Sequence, residues 1–283
     1  MSVCIITDST ADLSPQVARE RQITLIPLKI YFGQEVFRDG VDLTRDQFYD
    51  RLAASESLPT TSQIPPVQFL EAMQPIVARG DEVVLLTISS QLSGTFQSAC
   101  LARDMLPADQ QQRVYICDSR QVAYALGSMA LYAARLRDEG KSGRRIFDAL
   151  ESVKNRMRIF FIAGDLKYLY LGGRLTRTGM TVGNALNVRP VLQVKDGQIT
   201  IATLVRGQRK GCQWMAQQVK RLGVDPTIPT TLIHTHIPEL LPVMHAAMDA
   251  QFGPAQYDEA ELGTVVGTHV GPECAGVSFL MAP

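Results

Sequence analysis

The sequence carries no excess of charge of either sign. Among its 283 residues, 28 Lys and Arg balance 28 Asp and Glu, so it lacks the positive field with which nucleic-acid-binding proteins attract phosphates. It also has no apolar run that approaches the ~20 residues needed to span a bilayer. The amino terminus has no basic stretch followed by a long apolar one, so we expect neither a signal peptide nor integral membrane association.

Cysteine is scarce and shows no pairing pattern. The five cysteines are an odd number, and none belongs to a C-x-x-C motif, which predicts reduced thiols in a cytoplasmic protein. Motifs for common cofactors are missing too, because there is no P-loop for ATP, no G-x-G-x-x-G after the first strand and no H-E-x-x-H. His234 and His236 would share one face of a strand, but no third metal ligand is evident. We therefore predict no cofactor and no metal site.

Apolar runs typical of buried strands alternate with helical patterns through the first half of the chain. Val3 to Thr7 and Glu82 to Ile88 are the clearest runs, and Val122 to Glu139 reads as a long apolar helix. Such alternation predicts a parallel sheet with helices on both faces. In the second half, Asp196-Gly197 between two predicted strands indicates a hairpin, and hence a mixed sheet.

These patterns predict an α/β protein of two lobes. Residues 1–155 would form a three-layer α/β/α lobe around the parallel sheet, and residues 156–283 a two-layer α/β lobe with the mixed sheet. Within the first lobe we predict a helix over residues 13–21 and one extended segment from Ile23 to Phe32.

Hydroxyl-bearing residues cluster in three loops of the first half. The loops are Asp8–Thr10, Pro59–Pro66 and Ser89–Thr95, and ligands of open α/β sheets bind beyond the carboxyl ends of the strands. The alternative for each loop is helix capping, because Ser, Thr and Asp accept bonds from free helical N–H groups. Capping and binding are compatible, since a helix N-terminus also attracts anions.

Glycines and basic residues form a second group of candidate loops in the second half. Gly172-Gly173 lets the backbone turn sharply before Arg174, and Arg206 and His269 lie in two further loops. Each has a plainer alternative, because most arginines are solvated surface charges and a lone histidine is more often structural than catalytic.

These loops, in this order and spacing, resemble the DegV family. In the first half the matching pieces are ITDSTADL at 5–12, TTSQ at 60–63, ISSQLSGTFQSA at 88–99 and CDS at 117–119. In the second half they are LGGRLT at 171–176, RPVLQVKDGQI at 189–199, LVRG at 204–207 and HVGPECAGV at 269–277. The resemblance covers nearly the whole chain, and the ordered set is specific although a single piece such as LSGT is not.

The resemblance implies a two-domain protein that binds one long-chain fatty acid and is a carrier rather than an enzyme. The carboxylate would lie between the lobes on the Thr of the TSQ motif and the Ser of the LSGT motif, which are Thr61 and Ser93 here. Some family members present the fatty acid to a separate fatty acid kinase, which makes the acyl phosphate. Further candidates for contacting the head group or docking a kinase are Ser62, Gly94, Arg174, Arg206 and His269.

The chain departs from the family pattern at two positions. Glu273 replaces the small residue that usually follows GP, and Gly207 follows the VR motif where Thr is commoner. Neither position belongs to the expected carboxylate site, so both departures bear on a kinase partnership more than on lipid binding.

A buried fatty acid requires an apolar channel for its tail and hydrogen bonds for its head. Each buried methylene contributes ~0.8 kcal/mol, whereas an unpaired carboxylate in a dry site costs several kcal/mol. The apolar helix Tyr124–Leu136 is our candidate for lining the channel, with Met129 as an adaptable filler. The alternative is that these residues only form the core.

Two other functions stay open. An acyl-transfer or hydrolytic enzyme would use Ser93 as nucleophile and His269 as base, which requires a third group to orient the histidine. The chain shows no such group and no G-x-S-x-G elbow. A cleft for a small phosphorylated or hydroxylated metabolite is the other possibility, and the absence of co-purifying lipid would favour it.

Overall fold

The computed structural model describes residues 2–175, 188–236 and 238–283. The strands in these ranges are β1 (Val3–Asp8), β2 (Ile23–Ile26), β3 (Lys29–Phe32), β4 (Glu35–Arg38), β5 (Thr60–Ser62), β6 (Glu82–Thr87), β7 (Val114–Asp118), β8 (Met157–Ala163), β9 (Val188–Lys195), β10 (Gln198–Arg206), β11 (Thr231–His234), β12 (Asp258–Glu261) and β13 (Cys274–Leu280). The α-helices are α1 (Pro15–Glu20), α2 (Arg45–Ala54), α3 (Pro66–Ala78), α4 (Thr95–Asp104), α5 (Ala108–Gln111), α6 (Tyr124–Asp138), α7 (Gly143–Lys154), α8 (Lys167–Leu171), α9 (Gln208–Leu222), α10 (Leu241–Phe252) and α11 (Thr264–Val270). None of these helices is both long and apolar enough to cross a bilayer.

The first half is built on a parallel sheet with the strand order β2-β1-β6-β7. Successive side chains of β6 point to opposite faces, so Val84 and Leu86 pack with α6 and α7, while Val83 and Leu85 pack with α3 and α4. An uninterrupted apolar strand is what a sheet buried on both faces requires. The predicted three-layer arrangement of this half is confirmed.

The second half is built on a six-stranded mixed sheet with the order β10-β9-β8-β13-β11-β12. The predicted hairpin joins β9 to β10, and Asp196 and Gly197 have φ values of 51° and 82°, as a two-residue hairpin turn with positive φ at both positions requires. One face of the sheet packs against α9 and α10 through Phe160, Val277 and other apolar residues.

A third, small antiparallel sheet has the order β4-β3-β5. The predicted single extended segment from Ile23 to Phe32 is wrong, because the chain breaks at Pro27-Leu28 and its two parts join different sheets. Pairing of Ile30 with Thr61 attaches β5 to β3. This small sheet therefore fixes the position of the TTSQ loop.

Helices α6 and α7 form a layer between the two large sheets. One continuous apolar cluster contains Ile5 of the parallel sheet, Met129 of α6, Leu150 of α7 and Phe161 of the mixed sheet. The outer faces of the two sheets carry separate clusters with their own helices. The two halves thus share their largest core, and a division of the chain near residue 155 stays a prediction.

Candidate functional site

A slender cavity lies between loops of the first half and the mixed sheet of the second. It contains about 690 Å³ of space not filled by atoms, counting the part that is open to solvent. Its walls are mostly aliphatic, with residues from the first half (Leu28, Ile88, Leu92, Val122 and Ala123), from the mixed sheet (Ile159, Phe161, Ile199 and Ile233) and from the region of α11 (Leu262, Val265, Val266 and Val270).

Five of the seven residues predicted from the sequence line this one cavity. They come from four separate segments and are Thr61, Ser62, Ser93, Arg174 and His269. Thr61 and Ser62 belong to β5, and Ser62 accepts or donates a 3.4 Å bond with the Tyr31 hydroxyl of β3. These five polar residues beside a mostly apolar wall suit a ligand that has one polar end.

His269 is hydrogen-bonded to another of these five polar residues. Its Nε2 lies 2.9 Å from the Thr61 hydroxyl oxygen, while its buried Nδ1 has no hydrogen-bond partner among the described residues. Burial, together with the nearby Arg174 guanidinium, lowers the pKa of His269 to about 4. The ring is therefore neutral at neutral pH, and burying an unpaired acceptor at Nδ1 costs less than burying an unpaired N–H there.

Gly172 is required beside this imidazole. A side chain at Gly172 would collide with His269 Nδ1 and with the Tyr168 carbonyl oxygen. The Gly172-Gly173 pair thus allows the chain to pass against the histidine ring before Arg174, which explains why the sequence has glycine at this point.

Ser93 lies at the start of α4. Its hydroxyl is 2.9 Å from the Thr95 hydroxyl and accepts a 3.3 Å bond from the Thr95 backbone N–H. The predicted capping role is therefore present, and the hydroxyl proton can still point into the cavity. The ten-residue helix α4 directs its positive end to the same place, which favours a negatively charged ligand.

Arg174 contributes a cation that has no carboxylate partner among the described residues. Its guanidinium donates to the Leu92 carbonyl at 3.3 Å and to the Gly172 carbonyl at 2.5 Å. Burial lowers the pKa of Arg174. A partly desolvated guanidinium that bonds only to carbonyls is a site where an anion would be stabilised.

Two predicted residues lie elsewhere. Arg206 is exposed at the end of β10 and does not line the cavity. Gly94 does not line it either, and packs closely against the side chain of Gln63. Neither Arg206 nor Gly94 can contact a head group inside the cavity. For these two residues, only the predicted role in docking a kinase remains.

The expectation that helix Tyr124–Leu136 lines the channel is wrong. The wall there is made by Val122 and Ala123, which come immediately before α6. Met129 is fully buried in the core that the two sheets share. The face of α6 that packs between the two sheets is filled by core side chains, and its other face lines a different cavity, which the one-dimensional pattern does not reveal.

Sequence reasoning missed the contribution of α11. The cavity is lined by Val265, Val266, His269 and Val270. One short helix therefore supplies both apolar residues of the wall and one of the polar residues of the site. The spacing of these residues at i, i+1, i+4 and i+5 is helical and was the available signal.

The two departures from the family pattern have different surroundings. Gly207 has φ 80° and ψ 160° at the start of α9, a backbone conformation that suits glycine and not threonine. Glu273 is exposed and its side chain packs against Gly164, so it does not line the cavity itself, although the adjacent Cys274 does.

The arrangement does not supply an oriented base for nucleophilic catalysis. His269 Nε2 contacts Thr61 and not Ser93, and no acidic group holds Nδ1 within the described parts of the chain. Across the same residues, no group of three or more His, Cys, Asp or Glu side chains could hold a metal ion. What the geometry can do is accept an elongated apolar molecule with an anionic end.

Comparison with known proteins agrees with this geometry. The model of the DegV family, described as an uncharacterised protein family, matches residues 2–282. A DegV domain-containing protein of Caldanaerobacter subterraneus is 35% identical over 278 residues, covering 98% of both chains. Protein DegV of Bacillus subtilis is 30% identical and covers 99% of both chains.

Solved structures extend the likeness to the fold. A fatty acid-binding DegV family protein from Thermus thermophilus superposes with a TM-score of 0.88 at 26% identity over the full length of both chains. DegV of Bacillus subtilis, described as a fatty acid-binding protein, gives a TM-score of 0.84 at 27% identity over both full lengths. A stearic acid-binding protein from Eubacterium ventriosum gives 0.88 at 25% identity, covering 99% of this chain and 98% of its own.

Proposed function

The chain belongs to the DegV family, and on that premise we propose that it binds one long-chain fatty acid. The tail occupies the slender cavity and the carboxylate lies at its polar end, on Thr61 and Ser93. The single observation that carries the proposal is that these two hydroxyls and the neutral ring of His269 line one cavity whose remaining walls are mostly aliphatic.

The carboxylate is held by hydroxyl protons that the surrounding residues direct toward it. With its proton on Nε2, His269 donates to the Thr61 oxygen, and this leaves the Thr61 proton for the ligand. The Ser93 oxygen accepts from the Thr95 backbone N–H, and when the Thr95 hydroxyl donates in the 2.9 Å bond between the two hydroxyls, the Ser93 proton is also free. Each bond to a charged group contributes ~1.5–3 kcal/mol, and Arg174 adds a counter-charge at the same end.

The tail supplies most of the affinity. A chain of about fourteen methylenes offers on the order of 11 kcal/mol gross, before the entropy lost on binding is subtracted. Valine, leucine and isoleucine side chains in the channel walls provide the apolar surroundings that this transfer requires. A small hydroxylated metabolite would find few partners along these walls.

Binding of the head group is tested with two variants and one control. Thr61→Val and Ser93→Ala should each weaken palmitate binding about tenfold or more, because each removes one bond to a charged group. Ser90→Ala is the matched control, since Ser90 lies in the same loop but bonds to Asp118 at 2.6 Å. Wild-type affinity in both variants would contradict the assignment, and a purified protein that releases no fatty acid on denaturation would contradict the function.

The protein acts as a carrier and not as a self-sufficient enzyme in this proposal. It presents the fatty acid to a separate kinase, and Arg174, His269 and Ser62 lie near the carboxylate that would be phosphorylated. Exposed Arg206, and Gly94 at the start of α4, would contribute to the docking face. Acyl phosphate formation by a fatty acid kinase that depends on this protein, and that is lost in Arg206→Gln without loss of lipid binding, would support this part.

We also propose a cytoplasmic location and two functional halves, residues 1–155 and 156–283. Support for the location comes from five cysteines without a disulfide, as expected of a reducing compartment. Support for the halves comes from β8, which begins the mixed sheet at Met157. The halves supply Thr61 and Ser93 on one side and Arg174 and His269 on the other.

A further inference from the structure

A second cavity, with about 1210 Å³ of space not filled by atoms on the same measure, lies apart from the fatty acid site and shares no lining residue with it. It is bounded by the loop after β7, the junction between α7 and β8, the hairpin of β9 and β10, and one side of α9. We call it the basic pocket. The loop after β7 follows the carboxyl end of a parallel strand, a common position for ligands in open α/β sheets.

Positive charge is concentrated in the basic pocket although the whole chain is electrically balanced. Five basic residues line it, namely Arg120, Lys154, Arg158, Lys195 and Arg221, and Asp196 is the one acidic residue that lines it. Within the described parts of the chain, Lys154 alone among the five has an ion pair, at 2.7 Å to Glu151. With 28 basic and 28 acidic residues in total, this excess is local.

Arg158 is the most informative of these cations. Its guanidinium donates to the Asn155 and Met157 carbonyls, both at 2.8 Å, and is half-buried without a hydrogen-bonded carboxylate. Burial lowers the pKa of Arg158, so its charge is incompletely compensated. An anion bound beside it would supply the missing compensation.

An aromatic wall and a buried amide complete the pocket. Trp214 of α9 is partly exposed there and packs edge-to-face on Phe160, with ring centroids 5.4 Å apart. Gln121 is 4% exposed. Its Nε2 bonds to the carbonyls of Lys154 and Met157 at 3.4 Å, while its Oε1 has no partner among the described residues.

We propose that the basic pocket binds a small phosphorylated molecule with a planar ring, of the nucleotide type. The phosphate lies among Arg120, Arg158 and Arg221, because guanidinium groups match phosphate oxygens in geometry and charge. The ring stacks on Trp214, because the other aromatic residue that lines the pocket, Phe160, is only 4% exposed. A purely inorganic anion would use the arginines and leave the tryptophan without a role.

The pocket carries its own reporter, because Trp214 is the only tryptophan of the chain. Titration with ADP should change Trp214 fluorescence saturably, and pyrophosphate should bind more weakly because it has no ring. Arg221→Gln and Arg120→Gln should each weaken ADP binding about tenfold, the usual effect of removing one charged hydrogen bond. Arg209→Gln is the matched control, since Arg209 is an exposed arginine of the same helix that does not line the pocket.

Calorimetry with Trp214→Leu separates stacking from charge. This variant should bind ADP and pyrophosphate with equal affinity, while the wild type prefers ADP. An absence of saturable binding at millimolar ADP and physiological salt would overturn the proposal, as would equal weakening by Arg209→Gln. Binding of polyglutamate but not ADP would overturn it too and would indicate an acidic protein partner. ADP binding is also measured on Thr61→Val, in which fatty acid binding is weakened. Wild-type affinity for ADP in this variant separates the two kinds of binding.

Discussion

At the scale of single residues, the polar end of the cavity depends on where one proton resides. A neutral His269 with its proton on Nε2 directs the Thr61 hydroxyl toward the ligand, whereas a proton on Nδ1 would be buried without an acceptor. Burial keeps the ring neutral, with Arg174 acting in the same direction. In the proposed complex the histidine is therefore a positioning residue for Thr61, and its protonation would leave that hydrogen bond in place while adding an N–H without an acceptor at Nδ1.

The ring of His269 should titrate near pH 4. The unfolded chain protonates this histidine near pH 6.5, so between about pH 6.5 and 4 the unfolded state binds more protons. The free energy of unfolding therefore falls as the pH falls through this window. NMR of the four histidines, with His269→Gln to identify the resonance, measures the midpoint. A midpoint close to 6.5 would show that the ring is hydrated.

At the scale of secondary-structure elements, two short ones assemble the site. The small sheet β4-β3-β5 positions Thr61 through its pairing with Ile30, and the seven-residue helix α11 brings His269 to it. Neither is stable alone, because three-residue strands and helices of two turns depend on tertiary packing. Their places are therefore set by the rest of the molecule.

This dependence explains which parts could be predicted from the sequence. Long apolar strands such as β6 and the Asp196-Gly197 hairpin carry strong local signals, and both were predicted correctly. The break at Pro27-Leu28 was not predicted, because it depends on which sheet the strand on each side of the break joins. The residue types of the site were evident as motifs, but the bond between Thr61 and His269 spans 208 positions and follows only from the assembled fold.

Gly207 should be required at the start of α9. Its φ of 80° and ψ of 160° disfavour any side chain, although the space around its Cα is open. Gly207→Ala and Gly207→Thr should each lower the free energy of unfolding by about 1–3 kcal/mol, the typical cost of such strain. Urea denaturation measures this change, and Gln208→Ala serves as the control. Unchanged stability in both variants would mean that the helix starts in another conformation.

At the scale of the whole molecule, a group of buried carboxyl groups lies where the two halves of the chain meet. Asp39 accepts a 2.6 Å bond from Thr264, and Arg45 pairs with Glu261 at 3.2 Å. Asp12 is 4% exposed, and its oxygens have no hydrogen-bond partner among the described residues. Burial raises the pKa of Asp12 well above its ordinary value, and the neighbouring Asp39 raises it further while Arg45 opposes them.

Asp12→Asn should therefore reduce the pH dependence of stability. Above about pH 4 the unfolded chain has released the Asp12 proton while the folded protein retains it, so the free energy of unfolding falls as the pH rises. The amide removes this loss, so the free energy of unfolding of the variant should fall less than that of wild type between pH 5 and pH 8. Urea denaturation at pH 5 and pH 8 gives both values.

Asp42→Asn is a control for which we expect the opposite change in the free energy of unfolding. Its carboxylate bonds to Arg38, and this contact lowers the pKa of Asp42 to about 2. Asp42→Asn should lose a little stability at pH 8 and gain none. If Asp12→Asn behaved in the same way, Asp12 would be ionised in the folded protein.

The layer of α6 and α7 between the two sheets restricts how a guest molecule can reach the interior. The halves cannot swing apart along their midline without exposing the core that they share. A fatty acid bound as proposed would therefore have to enter lengthwise, through an opening in the cavity wall. Its rate of exchange would then depend on small displacements around that opening and on the number of carbons still to be withdrawn, so longer guests should leave progressively more slowly.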